Sequence, residues 1–302
     1  MRPDCRCLIL AAGKGTRLLP LTQKIPKPLF PVLDMPALDR LVLKLRSEGI
    51  DEIAVNCHHL TEKMETWKTV SPCGKHVTLL KEEVLLDTGG AIKNLFEKLG
   101  YDRPLLVYNA DIISNLSITS LFREFTKRSG ALALLCLHNN PLFNKIRCQS
   151  SRISSFEGKG KDLLAYTGIA IFRPECFKEA PSTPFPLIPF IQQLIDKGAE
   201  IGACRAEEIA RDEKWMWQDI GTPRGYLEAN FGLLAIKGQD RLLNSDCVSD
   251  TVRLAKRVII GRDASLSGTL SLKNVVVWPK TSLNMDGEIK DAIVTPFGIL
   301  KA

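Results

Sequence analysis

An α/β fold is predicted, with a mostly parallel sheet covered by helices on both faces and a short C-terminal left-handed β-helix. Three observations carry this. A continuous apolar run, Cys7 to Ala12, enters a glycine-rich loop, as a strand buried on both faces of a parallel sheet does. Strand-like and helix-like signals then alternate over roughly the first 200 residues, which implies crossover units. Near the C-terminus, apolar residues recur every six positions, the mark of stacked β-helical coils.

The elements follow in order. After the first strand, Leu38, Leu41, Val42 and Leu45 fall on one helical face, and Gly49 stops that helix. Glu52–Cys57 and His76–Lys81 read as strands. Ile92, Leu95, Phe96 and Leu99 make a second helical stripe ended by Gly100, and Pro104–Tyr108 returns to strand. Later strands are expected near 131–137, 151–156 and 165–172, with a helix near 186–196. The arrangement is Rossmann-like. Beyond a polar stretch, Lys237 to Asp250, the residues Ile260, Leu266, Leu272 and Trp278 keep the six-residue step, and Ala264, Leu270 and Val276 keep it too. An ordinary β-meander is the alternative for this tail. Two domains are expected, 1–237 and 250–302.

Composition excludes several classes. The 302 residues are 45% hydrophobic and 25% charged, which is globular usage. The formal charge of +7 suits an anionic substrate or plain solubility and does not decide between them. The nine cysteines are scattered with no Cys-x-x-Cys, and the four histidines offer only His58-His59, so no zinc framework is expected. Cys5 and Cys7 open an apolar run and read as small buried hydrophobes. No signal peptide and no membrane span are predicted. A reduced, cytoplasmic protein is expected.

The most informative segment is Leu10-Ala-Ala-Gly-Lys-Gly-Thr-Arg-Leu-Leu-Pro-Leu-Thr22, followed by Pro26-Lys-Pro-Leu-Phe-Pro-Val32. A strand entering such a loop lets backbone N–H groups approach an anion, and Lys14 and Arg17 add charged donors. A dinucleotide fingerprint would need a third glycine where Leu18 stands, and the P-loop pattern is absent. Read together, these residues resemble the sugar-phosphate nucleotidyltransferase family, most like its N-acetylmuramate-1-phosphate uridylyltransferase and mannose-1-phosphate guanylyltransferase types.

The resemblance implies roles by position. Ala11, Ala12, Gly13, Lys14, Gly15 and Thr16 would wrap the nucleotide, Arg17 would meet the triphosphate and Lys27 the phosphate. A solvated lysine in a proline-braced loop is the plain alternative for Lys27. Leu105-Leu-Val-Tyr-Asn-Ala-Asp111 and Trp217-Gln-Asp-Ile-Gly-Thr-Pro223 match segments whose aspartates bind metal, here Asp111 and Asp219 with Mg²⁺. Either aspartate could instead cap the helix that follows. Leu86-Asp-Thr-Gly-Gly-Ala-Ile92 would place Gly89 and Gly90 against the nucleobase, unless the pair serves only tight packing. Asn109, Thr167, Gly168 and Glu157 would face the sugar, although the family's Glu-Lys-Pro is not complete at Glu157. His58 and His59 read as turn packing.

The implied reaction is Mg²⁺-dependent attack of a sugar 1-phosphate on the α-phosphorus of an NTP. Two other readings stand beside it: the same reaction on a non-sugar phosphate such as phosphocholine, and a regulatory protein that binds nucleotide sugars without turnover. NTP and sugar 1-phosphate are the expected partners, with no nucleic acid and no membrane. The tail is expected to be structural or to support a homo-oligomer, since no histidine lies beyond His138 to serve an acyltransferase.

Overall fold

The computed structural model describes residues 2–210 and 215–302. Backbone contacts divide the chain into two compact units. The first comprises the residues up to Gly13 and Leu41–Trp215, and the second Lys14–Arg40 and Met216–Ala302. Lys14–Arg40 and the helix Pro223–Ile236 group with the tail in the second unit.

The first unit is built on a nine-stranded sheet. Its order is Val77–Lys81, Ile53–Cys57, Arg6–Leu10, Leu105–Asn109, Ala165–Phe172, Ala133–His138, Ile201–Arg205, Arg152–Ser155 and Arg147–Gln149. The first four strands are mutually parallel. Ala165–Phe172 runs antiparallel to both neighbours, and Ile201–Arg205 runs parallel to Ala133–His138. The two outermost strands are antiparallel.

The order itself marks a binding position. From Arg6–Leu10 the chain steps outward twice, then returns to the other side at Leu105–Asn109. The topological switch point therefore lies beyond Leu10 and Asn109, where open α/β sheets bind ligands. Cys7, Leu8 and Ile9 are fully buried, as a central strand covered on both faces requires.

Helices Ala37–Ser47, Asp87–Leu99 and Leu187–Asp196 fall where the apolar stripes place them. Thr61–Val70, Ile118–Thr126 and Pro223–Ile236 are additional. Thr61–Val70 buries only Met64 and Trp67, too narrow a stripe to stand out by period. The core of this unit includes Phe96, Phe172, Phe177, Phe185 and Phe190, in ring contacts of 5.1 to 5.8 Å between centroids.

In the second unit the tail is a stack of parallel coils. Arg241 pairs with Val258 and Val258 with Val275, a repeat of 17 residues. Leu270–Val277 and Gly287–Thr295 continue it, with Val277 opposite Val294. The first coil strand, Arg241–Leu243, lies within the stretch read as polar. Arg257, Asn274 and Asp291, each 17 residues apart, occupy left-handed corners with φ of 55°, 53° and 48°. Asn274 joins all three, accepting from Arg257 Nε at 3.0 Å and donating to Asp291 Oδ1 at 2.7 Å. Ile260, Ala264, Leu266, Leu270 and Leu272 line the coil interior with Val275 and Val277. Val276 and Trp278 are buried too, but against the outside of the coil.

Candidate nucleotide-binding site

In the first unit the glycine-rich loop is anchored at its start. The Ala11 N–H donates to Asn56 Oδ1 at 2.6 Å, and the Asn56 amide donates to Glu82 Oε1 at 2.8 Å. Glu82 Oε2 accepts the Leu86 N–H at 3.2 Å, just ahead of helix Asp87–Leu99. Asn56 and Glu82 are 4% and 7% exposed, so this polar chain is sheltered from water and strongly directional. Sequence reading missed both residues; the available signal was an Asn inside the apolar strand Ile53–Cys57. A Cβ added at Gly13 would meet no protein atom within 4 Å. Its lack of a side chain therefore leaves open space at the loop rather than relieving a clash.

The second unit holds the rest of the loop. Gly15 has φ 63° and ψ 37° and opens the short turn Thr16–Leu18. An L side chain is disfavoured there, and a Cβ would also meet Thr22 Cγ2 at 2.8 Å. The Thr22 hydroxyl donates to the Gly15 carbonyl at 3.0 Å. Arg17 Nη2 lies 3.5 Å from Asp219 Oδ2, with side chains 57% and 24% exposed. Asp219 Oδ1 accepts the Gly221 N–H at 2.6 Å. An ion pair this exposed contributes about 0–1 kcal/mol to stability, so it has little weight as a fold-holding contact. Lys27 begins the turn Lys27–Leu29 between Pro26 and Pro28. The structure thus brings Arg17 and Asp219 together, and both share a compact unit with Lys27.

Asn109 closes its strand beside Leu10, and the Ala110 N–H donates to the Leu10 carbonyl at 3.0 Å. Asp111 therefore follows the strand end at the switch point. The Asn109 amide packs against Gly168. Thr167 is fully buried and its hydroxyl donates to the Cys136 carbonyl at 2.8 Å, so that hydroxyl is committed to a protein contact. The Gly89 and Gly90 N–H groups both donate to the Phe185 carbonyl, at 3.0 and 3.3 Å. Those donors serve a protein contact. Glu157 lines a cavity of about 690 Å³ with Lys145, Phe156, Ile188 and Gln192, and none of Asn109, Thr167 and Gly168 lines it. His58 Nδ1 is 2.9 Å from the Glu82 carbonyl oxygen, the contact expected of turn packing. Burial pushes the Cys5 thiol up to about 12 and Cys7 well above its ordinary value, in keeping with small buried hydrophobes.

The first unit is thus an α/β sheet whose central strand enters the glycine-rich loop at the topological switch point. Residues 6–235 match the sequence model of the Nucleotidyl transferase family, and the chain belongs to that family. An N-acetylmuramate alpha-1-phosphate uridylyltransferase of Neisseria meningitidis is 30% identical over 226 residues, covering 72% of this chain and 93% of that one. A UTP–glucose-1-phosphate uridylyltransferase of Synechocystis is 28% identical over 257 residues, covering 76% of this chain and 63% of its own length. Among solved structures, HddC of Yersinia pseudotuberculosis complexed with GMP-PN shares the fold, with a TM-score of 0.62 and 22% identity over 76% of this chain and 99% of that one. Among the described residues, no helix is long and apolar enough to cross a membrane.

Proposed function

We propose that this chain joins a sugar 1-phosphate to the α-phosphorus of an NTP, releasing pyrophosphate. The observation that carries the reading is the loop of the family-matched span, open at Gly13 and left-handed at Gly15, with Arg17 set beside Asp219. A sugar 1-phosphate is already ionised, its second pKa being about 6, so its oxygen needs no strong general base. The obstacle is repulsion between an anionic nucleophile and a polyanionic triphosphate. Alignment and charge neutralisation answer it. In this reading the backbone from Ala11 to Thr16 wraps the nucleotide, Arg17 and Lys27 neutralise phosphate charge, and Asn109 and Gly168 face the sugar.

The two carboxylates offer an all-oxygen donor set, which suits Mg²⁺. No cluster of three or more His, Cys, Asp or Glu side chains arranged for a metal occurs among the described residues. Mg²⁺ takes one or two carboxylates and completes its shell with water and phosphate oxygens. Asp111 and Asp219 would hold it, and when bound it supplies Lewis-acid charge neutralisation at the phosphates. Residues 1–237 carry the chemistry, 250–302 belong to the tail, and the cytoplasm is the proposed compartment.

Relatives are named for both UTP and GTP chemistry. The test is therefore pyrophosphate release from UTP or GTP with Mg²⁺ and a panel of glucose, mannose and N-acetylmuramate 1-phosphates. Asp111→Ala should abolish turnover while the protein stays folded. Near-normal turnover in that variant, or nucleotide-sugar binding without turnover by the wild type, would sink the assignment.

A further inference from the structure

Trp278 is the residue that the coil does not account for. It keeps the six-residue step yet lies outside the coil interior, 2% exposed. Its ring packs edge-on against Phe30 at 4.7 Å between centroids, and its Nε1–H donates to the Tyr226 hydroxyl at 2.9 Å. The Tyr226 hydroxyl in turn donates to the Pro31 carbonyl, and its ring meets Phe30 edge-on at 5.9 Å. Phe30, Tyr226 and Trp278 thus enclose one another, and all belong to the second compact unit.

The contacts continue along the next residues. The Leu33 N–H donates to Asn230 Oδ1 at 2.9 Å, and Asn230 is itself held by donating to the Tyr226 carbonyl at 2.9 Å. Asp34, left-handed at φ 65°, accepts from the Asn244 amide and from the Arg262 N–H, each at 3.0 Å. Phe30 through Asp34 are therefore gripped by the helix Pro223–Ile236 and by tail residues 244, 262 and 278. One short turn separates this grip from Lys27, since the Phe30 N–H donates to the Lys27 carbonyl at 3.0 Å. Pro26 and Pro28 fix their own φ on either side, so a shift of Phe30 is passed to Lys27 rather than absorbed.

We infer that the C-terminal coils are the backing of the Lys27 turn, with Tyr226 and Trp278 as positioning residues for nucleotidyl transfer. This rests on the role proposed above for Lys27. It gives the tail a part in catalysis within a single chain, separate from any role in oligomer contacts. A misplacement of about 1 Å at a reacting group costs up to about 100-fold in rate, so removing the backing reads out as turnover.

The test is Tyr226→Phe, which deletes one oxygen and keeps the ring. Hydrogen exchange over residues 24–36 should accelerate, and kcat should fall by between about tenfold and 100-fold at temperatures well below the melting midpoint. In a Lys27→Ala background the same substitution should have no further effect on kcat, because a residue acting through Lys27 has nothing left to position. Unchanged exchange over 24–36, or an equal fold-loss with and without Lys27, would overturn the inference. A wild type that releases no pyrophosphate counts against the proposed reaction instead, and the exchange measurement still decides whether Tyr226 backs the turn.

Discussion

Replacing Asp219 separates a charge from a scaffold. Its Oδ1 accepts the Gly221 N–H at 2.6 Å, and its Oδ2 lies 3.5 Å from Arg17 Nη2. Asp219→Asn keeps a carbonyl oxygen for Gly221 and loses only the charge, whereas Asp219→Ala loses both. The Arg17 pair is exposed, so its loss costs at most about 1 kcal/mol, and the Asn variant should melt within about 4 °C of wild type. The Ala variant also leaves the Gly221 N–H without its acceptor, adding about 1–3 kcal/mol. Turnover should divide the variants differently. If the carboxylate neutralises charge at the phosphates, losing it should cost about 100-fold or more, as loss of one preorganised electrostatic contact does. Stability should then follow the Gly221 hydrogen bond while activity follows the charge. Thermal melts paired with pyrophosphate release at saturating substrate measure both. An Asn variant with near wild-type turnover beside an inactive Ala variant would show that Asp219 acts only by shaping its turn, and the reasoning would be refuted.

Three further outcomes are expected. A Cβ at Gly89 would lie 2.2 Å from Phe185 Cε2 and 2.8 Å from its carbonyl oxygen, so Gly89→Ala should destabilise by about 1–3 kcal/mol through overpacking; an unchanged urea midpoint would count against that contact. Asn56→Leu should cost about 1–3 kcal/mol for each buried atom it leaves without its partner, the Ala11 N–H and Glu82 Oε1, and nucleotide affinity measured by calorimetry should weaken with it. Burial lowers the His138 pKa, with Glu207 opposing the shift, so the folded value lies below the unfolded value of about 6.5. The stability from keeping His138 neutral is then complete above about 6.5 and drains away as pH falls from there toward the folded pKa. Melting temperature should therefore drop as pH falls below about 6.5, and His138→Gln should flatten that slope.

Much of the sheet was legible because its central strands are buried on both faces and therefore nearly free of polar residues, as in Cys7–Ile9. The exception inside such a strand, Asn56, was the trace of the polar chain behind the glycine-rich loop. Its meaning depends on Glu82, 26 residues away, and only the fold joins the two. Gly89 and Gly90 show the converse. Their motif pointed to a base, while the donors they carry are taken by Phe185, almost a hundred residues on.

The tail shows why a period alone misplaces a side chain. Apolar residues step by six, so three steps span eighteen, but the coil closes in 17. The missing residue falls at left-handed corners such as Asn274, where the interior series passes from Leu270 and Leu272 to Val275 and Val277. That odd step reverses which residues point inward. Trp278, which the six-residue count assigns to the core, is therefore turned out of the coil and onto Phe30, and the same slip that breaks the repeat places the tail behind the lysine turn.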